Sequence, residues 1–170
     1  MSNQNRLYPL APGDMTPSEL CSLIEDEFQQ AILARCKAIE GYFAQNAVNE
    51  VPDSVLELVD LLFKKLQDEL KHAFRKESGI LFPAIRQKMG TFKLAAPLAA
   101  SIEQTHKILL NLILKIRQLL NNYAIQPGWS EEWKLCVNEF FHLENKIHQW
   151  IHIEQYYLYP PISNNPATGN

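Results

Sequence analysis

The chain has 170 residues, 46% of them apolar and only 6 of them glycine, with a formal net charge of −3 at pH 7. A chain of this length fits one domain, and its composition is that of an ordered helical protein rather than a disordered one. Acidic and basic residues are interspersed along it, which leaves no basic stripe for nucleic acid or anionic lipid.

Two kinds of segment that would change the protein class are not predicted. Residues 1–15 contain no apolar run of signal-peptide length and show no hydrophobic period, so we expect an irregular arm and a cytoplasmic protein. The longest apolar stretch, residues 108–120, contains polar and charged side chains and is shorter than the roughly 18 residues of a membrane span. A membrane is therefore not an expected partner.

The first helix is predicted from a capping signal and an apolar face. Thr16 and Glu19 have the spacing of a capping box, and Pro17 suits the first helical position between them. Apolar residues then recur every three or four positions until the polar segment near Asn46, where the helix is expected to end. Gln29 lies at the shoulder of this apolar face.

The second helix is predicted to start at residue 53 or 54, where Ser54 and Glu57 form another capping box. Its apolar stripe continues, at helical spacing, onto Glu77. Pro83 removes a backbone donor and clashes with the preceding turn. We therefore expect the helix to kink or stop there.

The third predicted helix contains residues 102–123 and is the central element of the chain. It begins between Leu94 and Pro97, and its apolar stripe also carries His106. A polar side chain at such a position needs a buried partner, because leaving it unpaired costs about 1–3 kcal/mol.

A fourth helix is predicted from its cap at Ser130 to a stop ahead of Tyr159 and the two prolines that follow. Its apolar stripe begins at Trp133 and includes Glu154, another ionisable group on a core face. Residues 163–170 are predicted to be an unstructured tail.

The predicted fold is all-α. Four helices of about 25 to 30 residues joined by short loops bury their stripes as an up-down-up-down four-helix bundle over residues 16–162. Three widely spaced cysteines, without a Cys-x-x-Cys pair, argue against a disulfide framework and against a zinc or iron–sulfur cage. We expect buried or free thiols.

Glu77, His106 and Glu154 fall on the core stripes of three different helices. Carboxylates are rarely buried unless they are paired, protonated or bound to a metal. Bundles that bind iron or manganese place Glu and His side chains inward from facing helices, so these three residues are candidate metal ligands. The same pattern also allows a hydrogen-bonded network with Gln29 or Asn49, or a misphased stripe with a Glu in solvent.

The outer histidines give a weaker signal. His148 and His152 are four residues apart, and Glu144 is four residues before them, a spacing that suits an external metal clip or a solvated flank. We favour the flank. The sequence contains no nucleophile elbow, no glycine-rich phosphate loop and no activated cysteine, so a conventional enzyme activity is not expected.

Three segments resemble a known family. DELKHAFRKESGILFPAIRQKMG, IEQTHK and WIHIEQYYLYPPI are similar to the hemerythrin-like domain of the repair-of-iron-centres family, and the similarity covers about residues 16–162. The resemblance implies a four-helix bundle around a non-haem di-iron centre, with terminal histidine ligands and two bridging glutamates. It also implies a role in restoring iron–sulfur clusters damaged by nitric oxide or peroxide.

Carried over residue by residue, the resemblance makes Glu77 and Glu154 the counterparts of the bridging glutamates and His106 the counterpart of one ligand histidine. The other histidine positions of the family hold side chains without an imidazole: Gln29, Asn49, Ala73 and Trp150. A complete di-iron centre is therefore not expected. The cofactor expectation is one iron ion or none.

Two functions are compatible with these patterns. The first is a hemerythrin-like iron protein of the stress response with an incomplete site, whose partner is an iron–sulfur protein or an iron acceptor. The second is a metal-free bundle, derived from that family, that works as an interaction or regulatory module. A haem-binding bundle is a third possibility without a dedicated motif. The oligomeric state is not predicted.

Overall fold

The computed structural model describes residues 10–45, 53–88 and 90–163, and four long helices carry most of this part of the chain. Three of the four contain an internal π-helical turn. Helix α1 comprises Pro17–Leu23, the π turn Ile24–Gln29 and Gln30–Ala44; α2 comprises Asp53–Lys76, the π turn Glu77–Leu81 and Phe82–Gln87; α3 is Ala96–Leu119; and α4 comprises Glu131–Ile153, the π turn Glu154–Leu158 and Tyr159–Ile162. Short 3₁₀ turns precede α1 and follow α3.

The helix starts follow the sequence signals closely. Thr16 Oγ1 accepts a hydrogen bond from the Glu19 N–H at 3.2 Å, and the Glu19 carboxylate accepts one from the Thr16 N–H at 2.9 Å, which forms the predicted capping box. Ser130 Oγ accepts a hydrogen bond from a backbone N–H in the first turn of α4. Helix α2 begins at Asp53, so Ser54 lies inside the first turn and not at the cap.

The disturbance predicted near Pro83 is a π turn, and α2 continues past it to Gln87. The Phe82 N–H donates to the carbonyl of Glu77, five residues earlier instead of four. A proline ring clashes with the carbonyl four residues before it in a regular helix. The wider π turn accommodates this ring without ending the helix.

The predicted stop of α4 ahead of Tyr159 is wrong. The Tyr159 N–H donates to the Glu154 carbonyl in a second π turn, and the helix continues through Pro160 to Ile162. The Leu94 N–H then donates to the Ile162 carbonyl at 2.6 Å. This bond fixes the end of α4 to the segment that leads into α3.

Contacts between neighbouring helices run in opposite chain directions. For three helix pairs, the residue number rises along one helix as it falls along the other. The residue pairs are Glu25–Arg86 and Gln29–Glu77 between α1 and α2, Phe28–Lys146 and Arg35–Glu139 between α1 and α4, and His106–Glu154 and Arg117–Glu144 between α3 and α4. The helices thus form a bundle with one shared interior.

The interior of the bundle is apolar and rich in aromatic contacts. Phe63 and Phe140 pack edge to face with ring centroids 5.6 Å apart, and Phe43 contacts both rings. The predicted stripe of α4 is buried from Trp133 to Leu158. No helix in the described part of the chain has the length and apolar composition needed to cross a membrane.

The three cysteines are buried free thiols, as predicted. Burial raises the pKa of Cys21, Cys36 and Cys136 to about 12. Because the thiolate is the nucleophile and the metal ligand, none of these groups is activated at neutral pH.

We expect Phe140→Ala to lower the free energy of unfolding by about 3–5 kcal/mol, because the change empties a fully buried ring position. The matched control is Phe141→Ala, at a neighbouring position that is 45% exposed. There we expect a loss of about 1 kcal/mol or less. Denaturant unfolding followed by circular dichroism measures both. Equal losses at the two positions would contradict the packing of α4.

Candidate functional site

Three of the buried polar residues of the bundle lie at its π turns. Glu77 opens the π turn of α2, Glu154 opens that of α4, and Gln29 closes that of α1. His106 comes from the middle of α3, which has no π turn. Such turns are frequently found at functional sites. This part of the bundle is therefore the candidate site.

Glu154 is the centre of the cluster and is fully buried. Its Oε2 lies 2.7 Å from His106 Nε2, and its Oε1 accepts a hydrogen bond from Trp150 Nε1–H at 2.8 Å. The Tyr159 hydroxyl lies beside the same carboxylate and lowers its pKa, although it makes no hydrogen bond of normal geometry. Both Glu154 oxygens thus face hydrogen-bond donors.

Glu77 is the second carboxyl group of the cluster and lies close enough to Glu154 for each carboxyl group to shift the pKa of the other. Its Oε2 also accepts a hydrogen bond from Gln29 Nε2 at 2.8 Å. The Ser78 hydroxyl donates to Gln29 Oε1 at 2.9 Å. The hydrogen bonds therefore continue from half-buried Ser78 into the centre of the bundle.

Burial sets the protonation of the two carboxyl groups. Removal from water raises the pKa of Glu77 well above its usual range and raises that of Glu154 to about 7. The negative charge of Glu154 raises the pKa of Glu77 further, whereas the bond from Glu77 lowers the pKa of Glu154. Glu77 is thus the protonated partner, and the pair shares one proton near neutral pH.

His106 is neutral in this environment. Burial lowers its pKa to about 4, and the neighbouring acidic residues Glu77 and Glu103 offset this effect only in part. A carboxylate only accepts hydrogen bonds, so the contact with Glu154 assigns the ring hydrogen to Nε2. The other ring nitrogen, Nδ1, is buried and has no hydrogen-bond partner among the described residues.

Trp150 occupies a position where the resemblance implies a histidine. Its ring packs edge to face against Phe74 and against His106, with centroid distances of 5.0 and 5.6 Å. Its indole N–H is engaged with Glu154. An indole offers no lone pair to a metal. At this position the structure therefore has a hydrogen-bond donor to Glu154 and no side chain that could bind a metal.

The other positions that lack the expected histidine behave differently from one another. Gln29 joins the polar network, as one of the sequence alternatives proposed. Ala73 is too short to reach the cluster and lines a cavity beside it. Asn49 lies outside the described residues.

The distances in the cluster are those of hydrogen bonds. Two ligands bound at right angles to one ion, each at about 2.1 Å, lie about 3.0 Å apart, whereas His106 Nε2 and Glu154 Oε2 are 2.7 Å apart. In the described ranges, no group of three or more His, Cys, Asp and Glu side chains is arranged to hold a metal ion. The residues present do not fit a di-iron centre. Glu77, His106 and Glu154 do meet, and their role as ligands of one ion stays a prediction.

The outer histidines are not brought together as a metal clip. His148 Nε2 lies 3.5 Å from Glu144 Oε1, whereas the His152 ring packs on Tyr156 at 4.6 Å. Glu144 is itself buried and faces Arg117 Nε at 3.2 Å. This buried acid was not predicted from its sequence position, and its contacts are those of a structural ion pair.

The π turns were not predicted, although the sequence contains a signal for two of them. Glu77 precedes Pro83 by six residues, and Glu154 precedes Pro160 by the same distance. In each case the backbone carbonyl of the glutamate accepts a hydrogen bond from the N–H five residues later, which belongs to the residue just before the proline. A glutamate six residues before a proline in an apolar helix is therefore the pattern shared by the π turns of α2 and α4, whereas the π turn of α1 has no such pair.

Comparison with known proteins gives one relationship. The chain is similar to the iron-sulfur cluster repair protein YtfE of Escherichia coli O1:K1 and of Escherichia fergusonii, with 30% identity over 95 residues in each case. These residues are 56% of this chain and 42% of the relative, so the match spans less than half of the curated relatives. No protein-family model matches the chain. This distant homology supports a link to the repair-of-iron-centres family.

The two glutamates are expected to respond differently to replacement by glutamine. Glu77→Gln keeps a donor towards Glu154 and an acceptor for Gln29, so we expect a change of about 1 kcal/mol or less in the free energy of unfolding. Glu154→Gln places an amide N–H₂ against the N–H of Trp150 or His106. We expect it to lose about 1–3 kcal/mol. Denaturant unfolding at neutral pH measures both changes. Equal losses in the two variants would contradict the assignment of the proton to Glu77.

The raised carboxyl pKa values predict a pH dependence of stability. The native state holds protons on Glu77 and Glu154 that the unfolded chain releases. The stability that these protons contribute is complete below the unfolded pKa of about 4.5. It is lost as pH rises through the higher pKa values of the two carboxyl groups in the folded protein. The lowered pKa of His106 acts with the opposite sign, but only between about 4 and 6.5. Above about pH 6.5 only the carboxyl effect remains. There the native protein should lose stability more steeply than Glu77→Gln, and parallel curves would refute this.

Proposed function

We propose that this protein takes part in the maintenance of iron–sulfur clusters as a cytoplasmic, hemerythrin-like bundle of up-down-up-down topology. The observation that carries the proposal is the meeting of Glu77, His106 and Glu154, the three counterparts of family ligands, at one point in the core. The similarity to iron-sulfur cluster repair proteins supports the same function at the family level. The opposite directions of neighbouring helices support the topology.

In this proposal the protein handles iron as cargo and acts by binding, not by turnover. Two carboxyl groups and one imidazole supply the oxygen and nitrogen donors that suit iron. Protons hold these donors together in the structure, so iron uptake requires loss of the shared proton and a small separation of the side chains. A site of this kind binds one ion weakly and releases it readily. An iron–sulfur protein or another iron acceptor is the corresponding partner.

A second candidate is a metal-free interaction or regulatory module. The hydrogen bonds of the cluster favour it, because Gln29 donates to Glu77 and Trp150 donates to Glu154 without an ion. Hydrogen bonds between buried polar groups in an apolar core favour one arrangement of the helices over others. In that role the cluster would fix the relative heights of the four helices.

Iron binding and thermal unfolding separate the two candidates. Protein purified without oxygen after iron-rich growth is analysed for iron, and its melting temperature is measured with and without added ferrous iron. If iron is cargo, the native protein contains iron, and its melting temperature rises with iron concentration by mass action. Glu77→Gln is expected to fold but replaces a carboxylate ligand by a neutral amide. Its melting temperature should not rise with added iron.

The matched control is His148→Gln, at an exposed outer histidine. It should retain the iron-dependent rise of the native protein. If this variant lost the iron-dependent rise in melting temperature, the iron site would be assigned to the outer histidines instead of the buried cluster. No iron and no rise in the native protein would eliminate the cargo function and leave the metal-free module.

A further inference from the structure

A cavity of about 340 Å³ lies between α2 and α3, beside the polar cluster. Its volume falls in the range of about 300–1,000 Å³ that is usual for small-molecule sites. The wall is mainly apolar. It includes Ala73, Leu81, Phe92, Leu98, Ile102 and Trp150.

The cavity has a closed end and an open end. Trp150 and His106, whose rings are almost perpendicular, are buried and form the closed end. Ile80 and Leu98 are 72% and 43% exposed and lie at the open end. The side chain of Ala73 stops at Cβ and leaves the space between these ends unfilled. A ligand could therefore enter from solvent and reach the aromatic floor.

The open end carries positive and hydrogen-bond-donating groups. His72 and Lys76 are exposed, line the same cavity, and are four residues apart on one face of α2. Within the described part of the chain neither forms an ion pair. Glu77 is the one acidic residue of the lining, and its carboxyl group is engaged with Gln29 and Glu154. The mouth is thus suited to an anion.

We propose that this cavity binds a small amphipathic carboxylate, a straight-chain acyl anion. Its chain packs against the apolar wall, and its carboxylate lies at the mouth near Lys76 and His72. Since a cavity of about 150 Å³ accommodates benzene, a volume of about 340 Å³ holds roughly a dozen heavy atoms, which corresponds to a chain of about eight to ten carbons. The proposal does not rest on iron binding, although Glu77 and His106 belong both to the cavity lining and to the polar cluster.

Calorimetric titration with octanoate, below its micelle concentration, tests the proposal on the full chain. A series of shorter and longer acids should gain about fourfold in affinity per methylene until the cavity is full at about ten carbons. Octanol is the uncharged control. It should bind about two- to fivefold more weakly than octanoate, because the mouth lies at the surface, where ion pairs are weak.

Two variants locate the two ends of the ligand. Lys76→Gln should remove the preference for octanoate over octanol, whereas Lys115→Gln, at an exposed position elsewhere on α3, should retain it. Ala73→Leu fills part of the cavity and should weaken both ligands about tenfold or more. Ala38→Leu on the exposed face of α1 is its control. Circular dichroism checks that each variant is folded.

Three results would overturn the proposal. The absence of saturable octanoate binding would eliminate the site. Equal affinity for octanoate and octanol, or an unchanged preference in Lys76→Gln, would show that the mouth of the cavity does not recognise a carboxylate. An affinity that keeps rising with chain length beyond the volume of the cavity would place the chain on the surface. If Ala73→Leu fails to fold, the chain-length limit and Lys76→Gln still decide.

Discussion

Two carboxyl groups from different helices, those of Glu77 and Glu154, lie next to each other in the buried centre of the bundle. The arrangement of the surrounding side chains depends on this pair. Two adjacent charged carboxylates in such a place would repel each other and would each lose several kcal/mol of hydration. A proton on Glu77, whose pKa is raised well above its usual range by burial and by the charge of Glu154, removes the repulsion. His106 and Trp150 then donate to the charged partner, which distributes its negative charge over hydrogen bonds within the protein.

The π turns are the backbone counterpart of this arrangement. Each glutamate opens a π turn whose five-residue hydrogen bond ends just before a proline. The wider π turn accommodates the proline ring, so α2 and α4 continue beyond it. Glu77 and Glu154 therefore lie inside long helices and not at frayed helix ends. Helix packing holds these segments in place. The same local device in two helices agrees with the similarity of their ILFP and YLYP segments.

Two residues at positions where the sequence resemblance implies histidine have opposite steric effects. Trp150 is larger than a histidine and fills the site, and its N–H takes part in the polar network. Ala73 is smaller and leaves a cavity that reaches the surface. The polar cluster and the cavity therefore share one wall, made of Trp150 and His106. A ligand in the cavity would contact the same rings that hold Glu154, which provides a physical route between the two sites.

The amino-acid pattern by itself determined the all-helical class, the starts of α1, α3 and α4, and the stripes that carry Glu77, His106 and Glu154. Helical periodicity and capping are local, so they can be recognised in a single sequence. The tertiary structure decided the rest. Gln29 and Glu77, and likewise His106 and Glu154, are 48 residues apart in the chain, and they meet only because the helices pack at one relative height. Periodicity shows which face is buried, but it does not show which side chain of another helix lies opposite. The passage of α2 and α4 through their prolines, the donor role of Trp150 and the cavity beside Ala73 depend on that packing, and for this reason the sequence did not predict them.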